Sequence, residues 1–252
     1  MTTPFVKSRS DAPAGFFEVE AAGLRWLAVP GGVPVAEPLQ VSPTQLATSR
    51  LDTSAPTESA AEEFGQRLAV THDAGARYFG VPPDGWSGDG YIGTVPLPHA
   101  VEPVRSWGEF YANLRLRPYL RAAHDHGIHL DLIERVCTRL EAGAYDDPSD
   151  EPCRIHGDLW SGNVLWTPDG VHLIDPAAHG GHRETDLAML ALFGLPRLDH
   201  VLRAYDEAHP LRDGWRERIE LHQLHQLHPL LVHVVLFGGS YVAQAIESAK
   251  RY

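Results

Sequence analysis

The chain has 252 residues, 33 acidic against 21 basic side chains and a formal charge of −12. That balance argues against nucleic acid as a partner, because phosphate backbones select basic surfaces; the 15 histidines soften the charge near pH 6 without reversing it at neutrality. No apolar run reaches the ~18–20 residues of a membrane span, the N-terminus lacks the basic-then-apolar layout of a signal peptide, and Cys137 and Cys153 give no disulfide framework and read as ordinary thiols. The composition is that of a cytoplasmic globular protein large enough for one sizeable domain or two lobes.

In chain order, Pro4 to Lys7 is a short extended run, and Ala14 to Ala28 has helical apolar spacing, with Phe16, Phe17, Ala21, Leu24 and Leu27 available to a core. Gly31 to Gln45 is rich in Gly and Pro and reads as loops around short strands, with Gln45 to Thr48 extended. A linker at Asp52 to Thr57 leads to a helix over about Glu58 to Ala74, where Phe64, Leu68 and His72 fall near one face. Gly75 to Val104 is long for a structureless connection and suits a binding loop or lid; its Trp86 and Tyr91 either shape a cleft or anchor the loop to the core. Trp107 to His126 reads as a helix with Phe110, Leu114 and Leu120 inward and Arg115, Arg117 and Arg121 on a solvated face. Helical spacing resumes at Leu130 to Glu141, and an acidic loop, Ala142 to Pro152, follows.

The next stretch carries the chemistry. Arg154-Ile155-His156-Gly157-Asp158-Leu159-Trp160-Ser161-Gly162-Asn163 runs into the strand-like Val164-Leu165-Trp166, a turn at Thr167-Pro168-Asp169-Gly170, and Val171-His172-Leu173-Ile174-Asp175. Phosphoryl transfer needs a base or orienting group for the acceptor hydroxyl, metal ligands, and groups that hold the phosphates. The step from Asp158 to Asn163 equals that of the kinase pattern H-R-D-x-x-x-x-N, with Gly157 in place of the Arg. Asp158 takes the role of catalytic base, and Asn163 and Asp175 those of metal ligands; their hard oxygens suit Mg2+ rather than zinc. An isolated HxD would be a turn or cap, but three spaced polar residues among apolar strands point to this chemistry.

His156 reads as a structural residue bonding the loop backbone or an acidic neighbour, and Ser161 and Gly162 as loop-shaping, the glycine supplying conformations a side chain forbids. Asp186, at the head of the apolar run Leu187 to Phe193, caps that helix or bonds back to the catalytic loop. The steps of three in His222, His225 and His228, followed by His233, keep neighbours within reach on a helix. The interleaved leucines beside Pro229 and the lack of HExxH favour polar positions on a packed helix pair, and no histidine is assigned to a metal.

At His156-Gly157-Asp158-Leu159-Trp160-Ser161-Gly162-Asn163 the chain resembles the HGDLWSGN signature of the fructosamine kinase (ketosamine 3-kinase) family, a branch of the aminoglycoside phosphotransferase-like and protein kinase-like enzymes. Phe16 to Leu24, Gly90 to Thr94, Trp107 to Tyr111, Glu184 to Met189 and Leu236 to Tyr241 resemble stretches of the same family in the same order, so the likeness covers essentially the whole chain. It implies an α+β, bilobal protein kinase-like fold with a truncated N-terminal β-lobe (residues 1–52) and a mostly helical C-terminal lobe (residues 53–252). It implies ATP and Mg2+ as cofactors and phosphorylation of a sugar hydroxyl on a ketoamine, free or protein-linked. It also implies that Lys7 pairs with Glu20, with Glu18 as competing partner, to hold the α- and β-phosphates; that Thr48, Ser49, Arg50 and Leu51 form the adenine-binding hinge; and that Trp160 stacks on the sugar or packs the loop. Related amino-sugar or amino-alcohol kinases share the fold, and the L-W-S-G run argues against them.

Kinase-like folds place two strands and a glycine-rich loop ahead of the lysine strand, whereas only Met1 to Phe5 precede Lys7. The expectations that follow are a start assigned downstream of the true one or, as the alternative, a noncatalytic relative; intact metal ligands favour the first.

Overall fold

The structure, a computed structural model, describes residues 3–216, 219 and 224–252. It opens with strand β1 (Phe5–Ser8), helix α1 (Phe16–Leu27) and strands β2 (Pro38–Ser42) and β3 (Gln45–Thr48), which form an antiparallel sheet in the order β1-β3-β2. The β1–β3 register sets Lys7 opposite Leu46. Leu46 is fully buried and clusters with Phe17, Ala21 and Leu24 of α1, so apolar pairing fixes the helix across the sheet that carries the lysine. β1 is the sheet edge, and its Phe5 and Val6 are about half exposed.

Helix α2 (Glu58–Asp73) starts where the Thr57 hydroxyl accepts from the Ala60 amide, a standard N-cap. It packs with helix α7 (Leu198–Ala208) so closely that a Cβ on Gly65 would lie 2.2 Å from the Val201 carbonyl oxygen. The chain between them includes short strands β4 (Gly90–Ile92) and β5 (Val95–Leu97), helices α3 (Trp107–Phe110), α4 (Arg117–Asp125) and α5 (Asp131–Glu141), strands β6 (Cys153–Ile155), β7 (Val164–Thr167), β8 (Gly170–Leu173) and β9 (His179–Gly181), and helix α6 (Arg183–Leu192). Helices α8 (Leu227–Phe237) and α9 (Ser240–Ala249) close it. One core joins α3, α4, α5, α8 and α9; a second joins α2, α6, α7 and the β7–β8 hairpin. That hairpin turns at Thr167 to Gly170, as the turn chemistry predicts, with the Thr167 hydroxyl donating to the Gly170 carbonyl at 2.8 Å.

Two expectations need correction. The Gly75 to Val104 segment, read as a long binding loop or lid, contains the β4–β5 hairpin and is not loop throughout. Arg115 is not on a solvated face: it is 1% exposed, donating to the Pro98 and Leu114 carbonyls and to His179 Nε2. The cause is a six-residue π-helical stretch, Tyr111–Leu116, between α3 and α4. The wider turn shifts the helical register, so a 3.6-residue period extrapolated from Phe110 points Arg115 the wrong way. Arg117 and Arg121 do lie toward solvent, Arg117 bridging to Glu134 and Glu141. His222 lies outside the described residues.

Candidate active site

Strand β6 delivers the chain into the catalytic loop, and buried Asp186 on α6 holds that loop. Its two carboxylate oxygens accept the His156 and Gly157 amides at 2.7 and 2.9 Å, and it lies 3.2 Å from His72 Nε2. Asp186 therefore bonds back to the loop rather than capping α6; the capping acceptor is the His182 ring, which takes the Glu184 amide. His156 Nε2 donates to the Ile174 carbonyl while its Nδ1 accepts the Asp158 amide, fastening the loop to the end of β8. Gly157 sits at φ +79°, and a Cβ there would meet the Ala177 carbonyl oxygen at 2.3 Å, so the backbone crossing needs glycine. Gly162 is needed for a different reason than the one expected. The Trp160 indole lies across it, 2.3 Å from where a Cβ would stand, so space rather than a left-handed backbone is at issue.

Asn163 Nδ2 donates to the Asp158 carbonyl at 2.8 Å and to its carboxylate at 3.2 Å, and reaches the Asp175 carbonyl at 3.5 Å. These bonds fix the amide so that Oδ1 is its remaining acceptor. Burial, with Asp175 and Asp186 nearby, pushes the Asp158 carboxyl from 3.8 up to about 7 against the pull of the Asn163 hydrogen bond. Asp175 occupies a left-handed conformation at φ +56°, unusual for a non-glycine residue. Its Oδ1 takes the Lys7 ammonium at 2.5 Å, and the same ammonium meets Glu20 at 2.6 Å. Glu20, not Glu18, is thus the partner of Lys7. Burial opposes the charge on Lys7, but Glu20 and Asp175 together outweigh it and hold its pKa above the ordinary value.

Two clefts meet at Lys7, Glu20 and Asp175. The smaller, about 340 Å³, is lined by Phe5, Leu24, Ala36, Leu165 and Ile174 together with Thr48, Ser49, Arg50 and Leu51. The larger, about 640 Å³, contains Asp158, Asn163 and Trp160 and runs between Tyr91 and α8. Tyr91 lines this cleft and donates to the Ala14 carbonyl, whereas Trp86 packs on Gly15 at the head of α1 as an anchor. The cleft also holds Phe193, His233, Phe237 and Tyr241, which the sequence reading does not put at the site; the signal available, for Phe237 and Tyr241 alone, is the family-like stretch Leu236 to Tyr241.

The other histidines are arranged differently. His225 meets His182 and Glu184 in a buried group whose possible ligand atoms lie within 4.8 Å of one another. The His182 Nδ1 lone pair already takes the Glu184 amide and its Nε2 faces Asp150 at 3.0 Å, so that ring has no lone pair left for a metal. Both cysteines are buried, which pushes the Cys137 thiol up to about 12 and the Cys153 thiol to about 11; neither is set up as a nucleophile. Among the described residues no helix is long and apolar enough to cross a membrane.

A putative fructosamine-3-kinase from Thermobifida fusca YX-ER1 superposes with a TM-score of 0.88 and 51% identity, over 98% of this chain and 84% of that one. A thermostable mutant of an aminoglycoside phosphotransferase superposes with a TM-score of 0.58 at 17% identity, over 98% and 84%, a likeness of fold alone that places the chain among bilobal, α+β protein kinase-like folds. A probable ketoamine kinase of Klebsiella aerogenes is 34% identical over 72% of this chain, and the match spans 60% of that relative, under two thirds of its length. The fructosamine kinase family model matches residues 2–252, and the chain belongs to that family.

Proposed function

We propose that the protein transfers the γ-phosphoryl group of ATP to a sugar hydroxyl of a ketoamine, with residues 1–52 and 53–252 as the two lobes that enclose the reaction. The observation that carries this reading is the meeting of two clefts at the Lys7–Glu20–Asp175 cluster, with Asp158 lining only the larger. The smaller cleft suits the nucleotide. Its apolar walls, Leu24, Ala36, Leu165 and Ile174, would sandwich the adenine, and the Thr48 to Leu51 backbone would read its edge. Lys7, steadied by Glu20, would hold the α- and β-phosphates. The larger cleft would take the acceptor, with Trp160 against the sugar.

Asn163 and Asp175 fit Mg2+: Asn163 Oδ1 and the second Asp175 oxygen are hard ligands on adjoining segments, since Ile174 donates its amide to the Asn163 carbonyl. When bound, the ion supplies charge neutralisation for the phosphates. The protein's own contribution is positional. Asp158 would orient the acceptor hydroxyl and take its proton; Lys7 would offset charge on the phosphates; and Asp186, through the His156 and Gly157 amides, would keep the base in place.

The test is magnesium- and ketoamine-dependent ADP release with fructosyl and ribulosyl amines, and an Asp158→Asn control. Turnover lowered about 10²-fold or more by the substitution supports the reading. Turnover on amino sugars or amino alcohols but on no ketoamine would reassign the acceptor, and no turnover on any of them would remove it for this chain.

A further inference from the structure

The acceptor cleft is larger than a sugar ring needs, and its two ends differ chemically. Among the described residues lining it, the carboxylates and the ammonium, Lys7, Glu20, Asp158 and Asp175, all belong to the phosphoryl-transfer end. The opposite wall is a chain of rings contributed by the catalytic loop, the C-terminal end of α6, and helices α8 and α9. Trp160 meets Phe193 edge-on at 6.4 Å between centroids; Phe193 lies 5.2 Å from His233; and His233 lies 5.5 Å from Phe237 and 4.7 Å from Tyr241. His233 Nδ1 donates to the Pro229 carbonyl at 2.8 Å, which fixes the ring on α8. Trp160 and Phe237 are 42% and 67% exposed, so the wall runs from the catalytic loop out to the surface. Large aromatic faces left open beside a site mark a surface that binds something.

A ketoamine carries, next to its sugar, a secondary amine that is protonated near neutrality, and beyond it the arm of the original amine. With the sugar hydroxyl at Asp158, this arm must leave along one of the cleft walls. We infer that Phe193, His233, Phe237 and Tyr241 form a subsite for the amine and its arm, recognising the ammonium by ring faces rather than by a carboxylate and selecting apolar or aromatic arms over those bearing an anion. Ring faces attract a cation and repel a carboxylate, and among the described residues this wall contains neither Lys nor Arg to offset one. The inference rests on the ketoamine kinase reading and names which amines that site takes.

The experiment compares kcat/KM for fructosyl adducts of benzylamine, butylamine and glycine, in the wild type and in Phe237→Ser, Tyr241→Ser and Phe237→Arg. Phe237 is exposed, so its variants fold. Wild type should prefer the benzyl over the glycine adduct by about tenfold or more. Each serine variant should lower kcat/KM for the benzyl adduct about three- to fivefold through KM, with kcat within twofold, the size of one exposed ring or cation–π contact. Phe237→Arg should instead raise kcat/KM for the glycine adduct. Equal kcat/KM for the three adducts, or a preference unchanged in all variants, overturns the subsite while leaving the kinase reading intact. No turnover with any adduct removes the reading and the subsite together.

Discussion

Asp158→Asn tests whether the central carboxylate is held at a cost to the fold. In the folded protein the group's pKa is raised from 3.8 to about 7 by burial, with Asp175 and Asp186 adding to it. Because the folded value lies above the unfolded one, the penalty is absent below about pH 4, grows as pH rises, and is complete above about pH 7. A shift of about three units at about 1.4 kcal/mol each sets an upper bound near 4 kcal/mol; relaxation and water entry reduce it, and about 2–4 kcal/mol is expected at pH 8. Asparagine keeps the shape and can still accept from Asn163 Nδ2, so the substitution removes the buried charge and little else. Thermal unfolding in the presence of EDTA, which keeps divalent cations from stabilising the wild-type carboxylate, should show the variant melting about 5–10 °C higher at pH 8. The two proteins should converge toward pH 4. In turnover assays the same variant should lose about 10²-fold or more in kcat, with magnesium-nucleotide affinity within threefold. A stability difference independent of pH, or a less stable variant at pH 8, would refute the desolvation argument. Equal loss of turnover and nucleotide binding would refute the role of base.

Three further substitutions probe the supports. Lys7→Met removes the ammonium shared by Glu20 and Asp175, and steady-state kinetics should show kcat/KM for ATP down by about 10²-fold. Asp186→Asn turns an amide N–H toward the His156 or Gly157 N–H, so the urea midpoint should report a loss of about 3 kcal/mol. Gly65→Ala drives a methyl against the Val201 and Tyr205 backbone, and denaturant unfolding should show a loss of about 1–3 kcal/mol with KM unchanged at the distant site.

What could be read from sequence follows the range of the interactions. Asp158, Asn163 and Asp175 belong to one contiguous strand, loop and hairpin, so their spacing alone carries their geometry. Lys7 meets Asp175 across 168 positions, and nothing local distinguishes it from a solvated lysine; only the resemblance brought it to the site. The β4–β5 hairpin stayed hidden because its strands are three residues each and one contains Pro96, which local rules disfavour in a strand. Arg115 was misplaced because a π-helical insertion leaves no mark on composition and still rotates everything after it. The aromatic wall was hidden for a related reason: Phe193, His233 and Tyr241 look like core residues of three helices until packing puts their rings along one cleft.

Three unfavourable features gather at the catalytic loop, and each has a visible restraint. Asp175 is held left-handed with Lys7 on its carboxylate; Asp158 is desolvated but tied by Asn163; and Gly157 crosses the Ala177 carbonyl with its amide anchored on Asp186. The conformation of Asp175 and the burial of Asp158 would not persist on local preference, since non-glycine residues avoid positive φ and carboxylates stay in water. They persist because the second core, through α6 and the β7–β8 hairpin, fixes both ends of the loop independently of what the loop contains. A site built this way tolerates a change of acceptor more readily than a change of support. Substitutions in the aromatic wall should therefore redistribute substrates, and substitutions at Asp186 should unfold the loop.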